Sequence, residues 1–118
     1  QNIVFNAHYL TYFDVGVTEF FRAHGFDFSE FVRSEGVDFH VIRSLIDYKA
    51  AARFDDELDI CVRGEYQGPK IFWSVAIFRG EELICSGELT YITMDLKNER
   101  IRKVDEHIAG QIGLVKRA

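Results

Sequence analysis

Proline is almost missing from this 118-residue chain, with Pro69 the only one, and no proline-rich linker or low-complexity stretch divides it. Cysteine is nearly as scarce. Cys61 and Cys85 are the only two, and no CxxC or Cys/His ligand spacing accompanies them. That excludes a zinc motif of the usual kind. Both fall in strand patterns and are expected to be buried, reduced thiols rather than a disulfide. No apolar run approaches the roughly 20 residues needed to span a bilayer, and no signal-peptide pattern opens the chain, so a cytoplasmic location is expected. Gly-rich phosphate loops are absent, as is a G-x-S-x-G elbow. Ser74 and Ser86 have no His/Asp companions at a signature spacing, which argues against a serine nucleophile. A net charge of −5 argues against a nucleic-acid partner, which calls for a basic stripe.

What is present is 47% hydrophobic and 28% charged residues, the balance of a globular protein of one domain, residues 1–118. From Leu10 the apolar positions Leu10, Phe13, Val17, Phe20 and Phe21 recur at the spacing of one helix face. Asn6 is an N-cap type just before them and Gly25 a stop just after, which predicts a long helix from about Ala7 to His24. A short second helix is expected within 26–33, with Asp27 or Ser29 as cap and Gly36 as stop.

The remaining pattern has the period of strands. Asp38–Tyr48 carries apolar residues on both faces, as expected of a strand covered by the helix on one side and by a sheet or another subunit on the other. Residues 50–57 read as an exposed connection. Leu58–Tyr66 places Leu58, Ile60 and Val62 inward. Gln67-Gly68-Pro69 turns the chain into Lys70–Arg79, and Gly80-Glu81-Glu82 reverses it into Leu83–Met94. A short stretch, Arg100–Val104, precedes a polar tail. The whole is an α+β domain, an antiparallel sheet wrapped on one long helix, with enough leftover apolar surface to call for self-association.

These features together resemble the hotdog fold, in particular the 4-hydroxybenzoyl-CoA thioesterase-like acyl-CoA thioesterases. The residues that carry the resemblance are Asn2-Ile3-Val4-Phe5-Asn6-Ala7-His8-Tyr9 at the helix start, with Asn2 where the family has Gly. Tyr12-Phe13-Asp14, Thr18-Glu19-Phe20 and the link from Tyr48 to Leu58 support it. The resemblance implies hydrolysis of an acyl-CoA to free acid and CoA, without metal or redox cofactor, by a homodimer or homotetramer with its site at the dimer interface. It places the family's leading catalytic Asp two residues before Gln1, with the first strand of the fold upstream as well. A hotdog enoyl-CoA hydratase or dehydratase and a non-catalytic module binding acyl-CoA or acyl carrier protein are the alternatives, and no hydratase signature is visible around His8 or His40.

Thioester hydrolysis needs a carboxylate or activated water, a donor for the oxyanion and an anchor for CoA. By the resemblance, Asn6 would supply the oxyanion donor through its backbone N–H, which is compatible with a plain N-cap role for its side chain. His8 would touch substrate or act as acid or base, or be a surface residue of the first turn. Asp14 would be a second active-site carboxylate, or an acid bonded to a neighbouring strand or subunit. Ala7 and Tyr9 flank the substrate, with packing the competing role for Tyr9 and Tyr12. Lys70, beside Gly68-Pro69, ranks first for the CoA phosphates, with Arg53 and Arg63 behind it.

Overall fold

In the computed structural model, residues 6–53 and 55–118 are described. Motif residues 2–5 and Phe54 lie outside them. The order of elements is α1 (Asn6–Ala23), α2 (Phe28–Glu35), β1 (Val37–Tyr48), β2 (Asp59–Gln67), β3 (Lys70–Arg79), β4 (Glu82–Asp95), β5 (Arg100–Ile101), α3 (Glu106–Gln111) and β6 (Val115–Lys116).

Tyr9, Phe13, Val17 and Phe21 follow one another four positions apart on α1, and none of them is more than 2% exposed. Side chains at that spacing stack on one helix face. Each contributes roughly 1.5–3 kcal/mol when fully buried. Leu10, expected on this stripe, is 40% exposed. One step along the helix swings it about 100° from Tyr9, and Tyr9 takes the core position. On α2, the Asp27 carboxylate accepts the Glu30 N–H at 3.0 Å, while Gly36 closes the helix in the left-handed region at φ 65°.

The sheet runs β1-β4-β3-β2-β6, with β5 paired to β4. Among the described strands, the pairings are antiparallel except the short β2–β6 contact. Ile71, Trp73, Val75 and Ile77 of β3 form a buried row toward α1, because alternate residues of a strand share a face. Gly16 lets α1 settle on β2, since a Cβ there would stand 2.8 Å from Val62 Cγ2.

Two expectations are corrected. The stretch expected to be a polar tail folds: Asp105 caps α3 by accepting the Ile108 N–H at 3.0 Å, and Ala109, Ile112 and Leu114 are buried. Its apolar residues are too few to display a period in sequence. Cys61, expected inside, is exposed on the outer face of β2, whereas Cys85 is buried; both are free thiols. Among the described residues β1 ends the sheet, with Val41, Ile42, Leu45 and Tyr48 each 46–53% exposed, an apolar face open to another subunit. A bulge at Val41–Arg43 shifts its register against β4.

Candidate active site

The first turn of α1 is built by Asn6, Ala7, His8 and Tyr9. The backbone of this turn is described, and the side chains of Asn6, Ala7 and His8 lie outside the described residues. The opening N–H groups of any helix have no partner within it. The aligned peptide dipoles add about half a positive charge at the same place. No acidic residue occupies this first turn, so the helix itself does not offset that field there.

Tyr9 is 2% exposed. Its ring packs edge-on against Tyr48 at 5.4 Å and Tyr12 at 6.1 Å. Burial raises its hydroxyl pKa, and a hydrogen bond with the Ala52 backbone draws it part of the way back. Tyr9 thus serves the core, packed against Tyr48 at the end of β1.

That connection is ordered by charge. The Lys49 and Ala50 N–H groups donate to the Ile84 carbonyl at 2.9 and 3.2 Å, which keeps the loop against β4. Asp56 Oδ2 accepts the Arg53 N–H at 2.8 Å and Arg79 Nη1 at 2.7 Å. The same Nη1 reaches the Ala51 carbonyl at 3.2 Å, while Nη2 binds Glu82 Oε1 at 2.6 Å. The Arg53 N–H, with Arg79 beside it, holds the Asp56 carboxyl below the usual carboxylate range. Ala52 is fully buried and its neighbour Arg53 exposed, in the loop that follows Tyr48, whose ring packs on Tyr9.

Asp14 follows Phe13 on α1. Although the residue as a whole is exposed, its carboxyl is partly desolvated, and that raises its pKa. Its charge acts in turn on Tyr91 of β4, whose hydroxyl is pushed up to about 12 by burial first and by Asp14 second. A carboxylate kept from full solvation is a better base than one in bulk water.

Lys70 is not brought to this place. It opens β3 at the β2–β3 hairpin, paired with Gln67, whereas Tyr9 lies beside Cys85, near the β3–β4 hairpin at the other end of the sheet. Arg63 is exposed in the middle of β2, across from Ser74. Of the three cationic candidates, only Arg53 shares an end of the chain with the first turn of α1. A half-open cavity of about 30 Å³ lies at the far end, between α2, β3 and the segment 102–114. It is lined by Thr93, whose buried hydroxyl has no partner, and has room for a water rather than a substrate.

Sequence reasoning missed the Asp56–Arg79 pair, since 23 positions separate the two and no periodicity links them. It missed Tyr91 as the neighbour of Asp14 for the same reason.

The model of the thioesterase superfamily matches residues 1–86. The chain belongs to the thioesterase superfamily. This thioesterase has the hotdog fold, and solved structures share it along nearly the whole of this chain. A probable thioesterase from Bartonella henselae is 26% identical, with a TM-score of 0.79 over 88% of this chain and 86% of that one. A Staphylococcus aureus protein solved in complex with CoA is 16% identical, with a TM-score of 0.82 over 95% and 72%. A 1,4-dihydroxy-2-naphthoyl-CoA thioesterase from Synechocystis is 11% identical, with a TM-score of 0.82 over 94% and 83%. No curated protein matches the chain significantly. The matched stretch of this thioesterase contains the first turn of α1, Asp14, the Asp56–Arg79 loop and β3, and stops inside β4. Among the described residues, no helix is long and apolar enough to cross a membrane, and no cluster of His, Cys, Asp or Glu is placed to hold a metal ion.

Proposed function

We propose that this thioesterase hydrolyses an acyl-CoA at the N-terminal end of α1. The observation that carries the reading is the family match across residues 1–86, the stretch that supplies both the helix N-terminus and Asp14. The thioester carbonyl oxygen would lie against the opening N–H groups of α1, with the Asn6 N–H as the principal donor and Ala7 beside it. Charge develops on that oxygen as the carbonyl carbon becomes tetrahedral, and fixed N–H dipoles meet it without reorganisation. His8, in the same turn, is a candidate to bond substrate. The principal carboxylate would be an Asp upstream of Gln1, acting directly or through water. Asp14 would order or deprotonate the attacking water. The C–S bond then breaks, and the thiolate of CoA takes up the proton. No cofactor takes part. Arg53 is the candidate phosphate contact on this protomer. Lys70 could serve only from a neighbouring one. We place the reaction in the cytoplasm.

The working unit is proposed to be a homodimer joined along β1, alone or as half of a tetramer. Support comes from the unpaired outer edge of that strand and its exposed apolar residues. Antiparallel self-pairing centred on Leu45 sets Arg43 against Asp47 twice. A centre at Arg43 would oppose two like charges, which is unfavourable.

Release of free CoA thiol from short, medium, long and aryl acyl-CoAs, using the longest form of the protein, tests the activity. Turnover lost on replacing the upstream Asp with Asn is the expected result. Acyl-CoA binding without turnover on any substrate would overturn the hydrolytic reading.

A further inference from the structure

The bulge in β1 changes which side chains share a face. Tyr91 of β4 stands opposite Ile71 in the buried row of β3, so Val41, paired with Tyr91, belongs to the inner face. Thr90 stands opposite Phe72 on the other face, so Arg43, paired with Thr90, belongs to the outer one. Ile42 alternates with Arg43 and is therefore inner as well. The bulge thus gives the inner face two successive apolar residues, Val41 and Ile42, and both are half-exposed. Tyr48 is inner too, since its partner Cys85 stands opposite Ile77 of the same buried row. Its ring packs on Tyr9, in the first turn of α1, at 5.4 Å. Half-buried Leu10 stands about 120° round the helix from Gly16, which faces Val62 of β2, and so it looks away from β2.

We propose that Ile42, with Val41 beside it, crosses the dimer edge and walls the acyl site at the α1 N-terminus of the partner subunit, where it selects the acyl group by size. The proposal rests on the reading of that helix end as the thioester site and of β1 as the dimer edge.

Pairing about Leu45 sets Arg43 against Asp47 and, one step further, Ile42 against Tyr48 of the partner subunit. Opposed residues of antiparallel strands share a face, with Cα atoms about 4.5–5.5 Å apart. Ile42 therefore meets the ring that packs on Tyr9, on the side where α1 lies. It does not do so in its own chain, where Tyr48 is six positions along the strand, about 20 Å away. Uninterrupted alternation from Val41 would turn Ile42 outward and bring the Arg43 guanidinium inward, so the bulge keeps this wall apolar. Leu10 and Tyr48 of one protomer and Val41 and Ile42 of the other form its sides. The amides and phosphates of CoA find few partners among such residues, and the acyl group suits them. An apolar pocket discriminates by volume, about 10–200-fold for one methylene.

Three measurements test this. In a Cys61→Ser background, Leu45→Cys should give a disulfide-linked dimer on mild oxidation, because the residue on the axis meets its own copy. Arg43→Cys, about 13 Å from its copy, should not. On acyl-CoAs that the wild-type protein hydrolyses, Ile42→Trp should lower kcat/KM for the bulkiest acyl group relative to the smallest by about tenfold. Ile42→Ala should move that ratio the other way. Mixed with an excess of chain inactivated at the upstream Asp, Ile42→Trp should regain the wild-type ratio, because each working site then faces an unaltered Ile42. Absence of the Leu45 cross-link overturns the proposal. So does an unchanged ratio in both Ile42 variants, or a shifted ratio that mixing does not correct. If the wild-type protein hydrolyses no thioester, the functional reading fails by itself, and the cross-link still decides the register on which the placement of Ile42 depends.

Discussion

Gly87 of β4 lies beneath the Phe13 ring of α1, so close that a Cβ there would stand 2.8 Å from Phe13 Cε2 and would also meet the Leu45 carbonyl of β1. Helix, central strand and edge strand converge on this point. Gly87→Ala must push the helix off the sheet or displace the β1 backbone. It should destabilise the fold by about 1–3 kcal/mol, the usual range for overpacking. Urea denaturation measures this, with Ser74→Ala on the outer face as a control expected within about 0.5 kcal/mol of wild type.

Asp14→Asn separates activity from stability. Burial raises the Asp14 pKa, so its contribution to stability is full below the unfolded value near 3.9 and is lost as pH rises through the higher folded value. At neutral pH the ionised side chain costs the fold something, and the Asn variant should melt no lower than wild type. Its kcat should nevertheless fall about 10²–10⁴-fold if the carboxylate works on water. A pH–rate profile should lose an acidic limb lying above the ordinary aspartate range. Full activity in Asp14→Asn would remove Asp14 from the mechanism.

Asp56 has the opposite sign. Its pKa is held down by the Arg53 N–H and by Arg79, so its contribution is full above about pH 4 and disappears as pH falls through the depressed folded value. Melting temperatures of wild type and Asp56→Asn should differ at pH 7 and converge toward pH 2. A gap that is independent of pH would mean that the charge on Asp56 is not what holds the loop.

The register proposed for β1 makes a charge-swap prediction. Arg43→Asp places four acids along the paired edge and should shift the protein toward monomer in sedimentation velocity. Arg43→Asp/Asp47→Arg restores the opposition and should restore association. Equal association of all three proteins would place the interface elsewhere.

Thiol chemistry checks the burial of the two cysteines. Burial pushes the Cys85 thiol up to about 11, whereas Cys61 is exposed. A disulfide-exchange reagent at pH 7.5 should titrate one thiol in the folded protein and two after denaturation, and Cys61→Ser should abolish the fast one.

The long helix was legible because its apolar residues repeat at helical spacing over 18 residues, enough turns for the period to stand out. Gly36 marked the end of α2 and Asp27 or Ser29 its start, of which the structure uses Asp27, and both hairpins followed from turn residues between alternating runs. The opening motif pointed to the family because it is a local string, and the first turn of α1 is a local structure. These are features that each residue settles with neighbours a few positions away, so one linear string holds them.

What the tertiary structure decided depends on residues far apart in sequence. Only packing shows that Tyr9, not Leu10, takes the core side of α1, that Ala109, Ile112 and Leu114 are buried in a polar-looking stretch, and that Cys61 faces outward. The site divides in the same way. Asp14 and the helix N-terminus were visible as residue types at a spacing. The separation of Lys70 from Arg53, and the grip of Arg79 on a loop 23 positions earlier, come from which end of a strand each occupies and which strands pair. Strand pairing is set by burial of whole faces against one another, a sum over the entire sheet that no window of sequence contains.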